Sequence, residues 1–297
     1  SKVFFNQARN LSKEKVVNEI KQFFSRENIK RQLKAMVGYL IPGRKVDFKL
    51  NIGGGSYTDS KVVVVGLPEL LFNRSKEEIF MALMALVGHE SQHVVSSNFE
   101  GFVAFQEEVA KYLKDKHDIP KGVSQKIAHG IANSIEDGRI EKILCNKRPG
   151  YLKKIQFLNL LFWEEQPVTG DNELGEFLYS ITIQSVTGLD PKGFQEVYAG
   201  SELEENLRKV RPFIIKGINA RTSDECFHCC WSVLTEVEDY WVKLIKDQIK
   251  KDQDLFDKMQ SMPDFNNSEE SEENNSGSGG ASCHFTPEDM DEDKKNS

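Results

Sequence analysis

The sequence predicts a mainly helical protein with one small β-sheet, a fold of the α+β class. Two observations lead to this prediction. Most of residues 1–262 carries apolar side chains every three or four positions, the spacing of helices with a buried face. Alternating or β-branched stretches are confined to residues 46–65. We therefore expect one domain over residues 1–262.

The helices are expected in sequence order, separated by proline- and glycine-containing boundaries. Ser75 and Glu78 form a capping-box pattern, which predicts that a helix begins at Ser75. The last helix is expected to be long and unbroken. The other helices are predicted over residues 12–39, 100–117, 123–145, 151–164, 172–187, 191–199, 202–219 and 224–262.

The sheet is expected to contain a hairpin. Residues 46–52 alternate between apolar and polar side chains, and residues 61–65 read Lys-Val-Val-Val-Val. The glycine-rich residues 53–56 lie between them and predict a turn. We expect residues 61–65 to form an edge strand, to which an extended peptide could add by β-augmentation.

Residues 89–93 read His-Glu-Ser-Gln-His, an H-E-x-x-H motif. On a helix, His89 and His93 lie one turn apart on one face, so both imidazoles can bind one metal ion. Glu90 lies close enough to reach a water on that ion. The residues before the motif are almost all apolar, which predicts a buried helix. Because burying unpaired polar groups is costly, a metal is their simplest partner, and polar packing without a metal is the alternative.

A zinc site of this kind needs a third protein ligand. On the helix predicted downstream, Glu136 lies at the edge of the apolar side, whereas Asp137 lies off it and Glu141 lies nearly opposite. Glu136 is therefore the first candidate, and Asp137, Glu141 and His129 remain alternatives. Arg139 also points to the apolar side, so Glu136 and Arg139 could instead form an ion pair without a metal.

A family resemblance rests on these two motifs, Gly88-His89-Glu90-Ser91-Gln92-His93 and Asn133-x-x-Glu136-Asp137-x-Arg139-x-Glu141. They resemble the zincin metallopeptidase-like domains of the glutamate-ligand (gluzincin) type. More narrowly, they resemble those that precede a von Willebrand factor A domain in partners of MoxR-type AAA ATPases and in cobalt-chelatase-like subunits. The resemblance covers residues 60–145 well and the rest of the chain loosely.

The resemblance implies a zincin-like fold with one Zn²⁺ bound by His89, His93 and Glu136. It implies a zinc metallopeptidase that acts on a peptide or protein substrate, with Glu90 as the general base. The sequence does not single out the donor that stabilises the oxyanion. The candidates are Tyr57, His117, His129, Arg139 and Tyr151.

A second hypothesis is a catalytically silent zinc-binding interaction module that acts with a AAA ATPase and von Willebrand factor A system. The presence of Glu90 favours the peptidase, because a binding module does not need that base. A third and weaker hypothesis is a role in metal handling.

Composition and charge bear on other classes of function. No apolar run is long enough to cross a bilayer, and residues 1–10 lack the apolar region of a signal peptide. The net charge of −7 comes from the acidic residues 263–297, and the rest shows no dense basic patch. We therefore expect neither a nucleic-acid nor a membrane partner. Five cysteines without regular spacing predict reduced thiols and a cytoplasmic location.

Residues 263–297 differ from the rest of the chain. They carry ten acidic residues and two lysines, and residues 266–282 are rich in Ser, Gly, Asn and Glu. Such a composition cannot bury enough apolar surface to fold alone. We expect this region to be a disordered acidic tail or linker.

Overall fold

The computed structural model describes residues 14–260 and 282–291. The chain is mainly helical and has one small sheet, which confirms the predicted secondary-structure class. The strands are β1 Asp47–Ile52, β2 Tyr57–Thr58 and β3 Val62–Leu67. The helices are α1 (residues 14–24), α2 Glu27–Leu40, α3 Lys76–Ser96, α4 Phe99–His117, α5 Lys121–Lys147, α6 Leu152–Glu165, α7 Glu173–Thr187, α8 Phe194–Tyr198, α9 Glu202–Ile218, α10 Ser223–Glu236, α11 Glu238–Gln260 and α12 Pro287–Met290.

The described residues belong to two compact units. The first contains residues 14–96 and 143–158, and the second contains 97–142, 159–260 and 282–291. The domain boundary expected after residue 262 falls outside the described residues. Within the described ranges, no helix combines the length and the apolar character of a membrane span.

The sheet of the first unit has the strand order β1-β3-β2. β1 runs parallel to β3, with Phe48 opposite Val63, and β2 pairs antiparallel to β3, with Tyr57 opposite Val64. The predicted hairpin of residues 46–52 and 61–65 is therefore wrong. The predicted edge position of residues 61–65 is also wrong, because β3 lies between the other two strands. Its run of valines suits this place, since a central strand buried on both faces is apolar throughout.

The glycine-rich residues after β1 allow a close approach of two backbones. A Cβ on Gly66 of β3 would lie 2.1 Å from the carbonyl oxygen of Gly54. The Gly66 N–H donates to Ser56 Oγ at 2.8 Å, and Gly53 adopts a φ of +95° that favours glycine. The turn is thus held tightly against the central strand.

Gly66→Ala should destabilise the protein by about 1–3 kcal/mol or more, because the new methyl group meets backbone that cannot rotate away. Gly38→Ala in α2 is the matched control. Nothing lies within 4 Å of a Cβ at Gly38, so alanine there should raise stability by about 0.5–1 kcal/mol. Urea denaturation of both variants checks this. A Gly66→Ala protein as stable as the wild type would contradict the close approach.

Helix α3 begins where the capping box predicts. The Glu78 N–H donates to Ser75 Oγ at 3.1 Å, and the Ser75 N–H donates to Glu78 Oε2 at 3.0 Å. The helix packs against β3 and α2, and its apolar residues such as Ile79 and Leu83 are fully buried. This packing fixes the helix that carries the H-E-x-x-H motif.

The second unit is built from helices around an aromatic core that contains Phe177 and Trp241. The prediction of one long last helix is wrong, because the chain leaves helical geometry at Val237 (φ −129°, ψ 39°) and resumes as α11. The Val233 carbonyl accepts the indole N–H of Trp241 at 3.2 Å. The break thus accompanies the burial of a large side chain with its polar group satisfied.

Part of the predicted disordered tail is ordered. Residues 282–291 are described, and residues 287–290 form the short helix α12 with a capping box between Thr286 and Asp289. Phe285 is 1% exposed and belongs to the core of the second unit. The expectation of disorder is therefore wrong for these ten residues, since a buried phenylalanine offsets the polar composition around it. The rest of the tail, 263–281 and 292–297, lies outside the described residues.

Candidate metal centre

His89 and His93 lie on α3 with their imidazole rings facing each other, as the i, i+4 spacing predicts. Their Nε2 atoms are 3.2 Å apart, and the ring planes meet at 70° with centroids 4.9 Å apart. Both rings are partly buried. Two nitrogen donors therefore converge on one point from a helix that is fixed by its packing.

The separation of the two nitrogen atoms can be compared with that required by a metal. Zinc–nitrogen bonds of about 2.0–2.1 Å at tetrahedral angles place two nitrogen ligands about 3.3 Å apart. The observed 3.2 Å fits this requirement. It also fits an N–H···N hydrogen bond between one protonated and one unprotonated nitrogen, so the distance alone does not separate the two arrangements.

Glu90 follows His89 directly on α3, and it is buried with 6% of its surface exposed. Helical geometry turns it about 100° from His89, as the motif requires. A largely buried carboxylate next to two imidazoles is suited to accept a proton in a site from which bulk water is mostly excluded.

Asp137, one of the alternatives that the sequence left open for the third ligand, belongs to the second unit. Asp137 lies on α5 and is 7% exposed. Its Oδ2 accepts a hydrogen bond from Asn133 Nδ2 at 3.0 Å, which orients the carboxylate.

Glu136, the first candidate for the third ligand, accepts four hydrogen bonds within the second unit. Arg139 Nε donates to Oε2 at 2.7 Å and Arg139 Nη2 donates to Oε1 at 2.6 Å. The hydroxyl groups of Ser97 and Ser223 each donate to Oε1 at 2.7 Å. This is the ion-pair arrangement that the sequence left open. The assignment of Glu136 as third ligand stays a prediction, and the structure shows that this carboxylate accepts four hydrogen bonds within the second unit.

Electrostatics support this description of Glu136. Burial alone would raise the pKa of this carboxyl, but the hydrogen bonds and the charge of Arg139, together with the two serine hydroxyls, outweigh it and hold the pKa below its ordinary value. Glu136 is therefore an ionised carboxylate whose charge is balanced inside the protein. Such a group serves the packing of the second unit, because Ser97, Arg139 and Ser223 come from three different segments.

Glu141, His129 and His117, which the sequence also suggested, contact other residues of the second unit. Glu141 accepts a hydrogen bond from Asn159 Nδ2 at 2.7 Å. His129 packs edge-on against Phe102, and burial lowers its pKa, so the ring is neutral near pH 7. His117 pairs with Glu238.

Of the five candidates for the oxyanion donor, Tyr151 is distant from the motif in sequence but lies beside the motif helix in space. A Cβ on Gly88, the residue before His89, would lie 2.3 Å from the Tyr151 ring. Burial raises the pKa of Tyr151 to about 12, so its hydroxyl keeps its proton near neutral pH and can donate a hydrogen bond. Tyr57, in contrast, is 50% exposed on β2.

Sequence reasoning missed the role of Asn133. The signal was present, because Asn133 and Asp137 are four residues apart on one helix and such pairs face each other.

Comparison of the chain with protein-family models, with curated proteins and with solved structures finds no match. The resemblance to zincin domains therefore stays a prediction that rests on the motifs themselves.

Proposed function

We propose that this chain is a zinc-dependent metallopeptidase that hydrolyses peptide bonds with water. The observation that carries the proposal is the presence on one helix of the buried carboxylate of Glu90 and of two imidazoles, those of His89 and His93, whose Nε2 atoms lie 3.2 Å apart. The buried Glu90 on the same helix supplies the carboxylate that a hydrolase of this type needs.

We assign the ligands as His89, His93 and Asp137. This changes the third ligand from Glu136, the first choice of the sequence, to the acid beside it. The change is supported by the four hydrogen bonds that Glu136 already accepts from Arg139, Ser97 and Ser223.

The two imidazoles and the carboxylate form a donor set of nitrogen and oxygen atoms, which suits zinc. A bound zinc ion would polarise the scissile carbonyl and make a water molecule more acidic. Glu90 accepts the proton of that water as it attacks the carbonyl carbon, and then gives the proton to the nitrogen of the leaving amine. Asn133 donates to Oδ2 of Asp137 and would orient this carboxylate as a ligand.

The fold and the location belong to the same proposal. The packing of α3 against β3 supports a zincin-like fold for the first unit, since it fixes the motif helix on a sheet. None of the five cysteines forms a disulfide bond, which supports a reducing compartment such as the cytoplasm. Free thiols persist where glutathione and thioredoxin keep them reduced.

Glu90→Gln should lower the rate of peptide hydrolysis by about 10²–10⁴-fold and leave zinc binding unchanged, because only the general base is removed. The assay incubates the zinc-loaded chain with a mixture of unfolded peptides and follows cleavage by mass spectrometry. Glu77→Gln, at an exposed position on the same helix, is the control and should cleave like the wild type.

The two hypotheses from the sequence make different predictions in this assay. A wild-type protein that binds zinc but cleaves no peptide would favour the silent zinc-binding module. Equal cleavage by the wild type and by Glu90→Gln would show that the activity does not come from this site.

A further inference from the structure

Residues 282–291 contact the rest of the second unit through one deeply buried side chain. Phe285 is 1% exposed within the aromatic core, whereas its neighbours His284 and Thr286 are exposed. Cys283 and Met290 pack against the same core and are partly buried. The segment thus docks by a single aromatic anchor with smaller apolar contacts on either side.

A buried carboxylate on α11 receives the backbone of this anchor. Asp252 is 3% exposed, and its Oδ2 accepts the Phe285 N–H at 2.8 Å. Its Oδ1 lies 2.9 Å from His284 Nδ1 and accepts Gln248 Nε2 at 2.9 Å. The carboxylate therefore binds the backbone amide of Phe285 and the imidazole of His284.

Two further side chains bind the segment from α5 and from the start of α7. Lys126 Nζ donates to the His284 carbonyl at 2.9 Å and to Asp289 Oδ2 at 3.1 Å. Asn172 Nδ2 donates to the Cys283 carbonyl at 2.9 Å. These contacts use backbone groups and one acid of the segment, as in other cases where a groove binds an extended peptide.

Gly122 at the start of α5 completes the fit. A Cβ there would lie 2.7 Å from the carbonyl oxygen of Asp289 and 2.9 Å from its Cα. Backbone atoms of the segment therefore occupy the space that any other residue at 122 would need. The groove is shaped for a peptide backbone at this position.

We propose that this groove, formed by Gly122, Lys126, Asn172, Gln248 and Asp252, is a reversible peptide-binding site whose ligand is residues 282–291 of the same chain. The segment is joined to α11 by residues 261–281, so it stays attached to the chain when it leaves the groove. As a separate peptide, the segment would bind the groove weakly, because it offers one buried anchor and a few hydrogen bonds. Its covalent connection to the chain raises its effective concentration at the groove. The proposal is independent of the metal centre.

The test measures amide hydrogen exchange in the full chain with and without an added synthetic peptide of residues 282–291. At ten times its dissociation constant, the peptide should speed exchange of the chain's own Phe285 amide by about tenfold, because it occupies the groove whenever the segment leaves. Amides of the core around Trp241 should not change. A peptide with Phe285→Ala should have no effect.

Two single substitutions in the chain test the proposal in a second way. Lys126→Ala should speed exchange of the Phe285 amide by about fivefold, since it removes two contacts of the segment. Lys121→Ala is the matched control, because this lysine pairs with Glu107 on α4 and does not bind the segment. The proposal is overturned if the peptide leaves exchange unchanged and the Phe285 amide exchanges only together with the core amides. In that case the segment is a permanent part of the fold.

Discussion

Asp137→Ala should weaken zinc binding by at least about a hundredfold, because it removes one of three protein ligands. Glu136→Gln should leave zinc affinity within a few-fold of the wild type. The contrast follows from the different partners of the two neighbouring acids. Asp137 is oriented by Asn133, whereas Glu136 is bound by Arg139 and two serines. Competition with a chromophoric chelator measures the affinity of each variant.

Glu141→Gln is the matched control for this pair, because Glu141 is a buried acid on the same helix with a separate partner in Asn159. It should bind zinc like the wild type. The opposite ranking, in which Glu136→Gln loses zinc and Asp137→Ala keeps it, would restore the ligand set that the sequence suggested first.

Arg139→Leu should destabilise the protein by about 3–5 kcal/mol at pH 7, since it leaves the ionised Glu136 buried without its countercharge. The side chains of Arg139 and Glu136 are 1% and 2% exposed, so water cannot replace the lost partner. Lys209→Ala is the control. It breaks an exposed pair with Glu205 at the same kind of spacing and should change stability by less than about 1 kcal/mol.

The effect of Arg139→Leu should depend on pH. The pKa of Glu136 is lowered in the folded protein, mainly by Arg139 acting against the cost of burial. The stability from this pair is therefore present above the ordinary pKa of 4.5 and is lost as the pH falls through the lower, folded value. Urea denaturation at pH 7 and in acid should show a difference between the wild type and Arg139→Leu that shrinks on acidification. A difference that is constant with pH would show that the loss is one of packing alone.

Local features of the fold could be predicted from the sequence, and non-local ones could not. Ser75 and Glu78 set the start of α3 through bonds three residues apart, and His89 and His93 converge because they are one turn apart. The parallel pairing of β1 with β3 and the antiparallel pairing of the two-residue strand β2 with β3 join residues that are not neighbours in sequence, and no local pattern encodes them.

The choice of the third ligand also depends on contacts between residues that are distant in sequence, which local sequence patterns do not predict. Helical geometry ranked Glu136 above Asp137 because Glu136 lies nearer the apolar side of α5. Our proposal of Asp137 rests instead on Ser97 and Ser223, which are distant in sequence and supply hydroxyl donors to Glu136 beside Arg139. A helical projection cannot include partners from other helices.

In the tail, composition averaged over 35 residues concealed a short segment with one well-placed phenylalanine.

The central claim is that His89 and His93 bind a metal ion. Elemental analysis of the purified full chain, compared with His93→Ala, tests it most directly. We expect about one zinc per wild-type chain and a large loss in the variant, because one nitrogen donor of a three-residue set is removed. A wild-type chain that holds no metal even after zinc is supplied would contradict the claim. The 3.2 Å between the two nitrogen atoms would then be a hydrogen bond between two packed histidines.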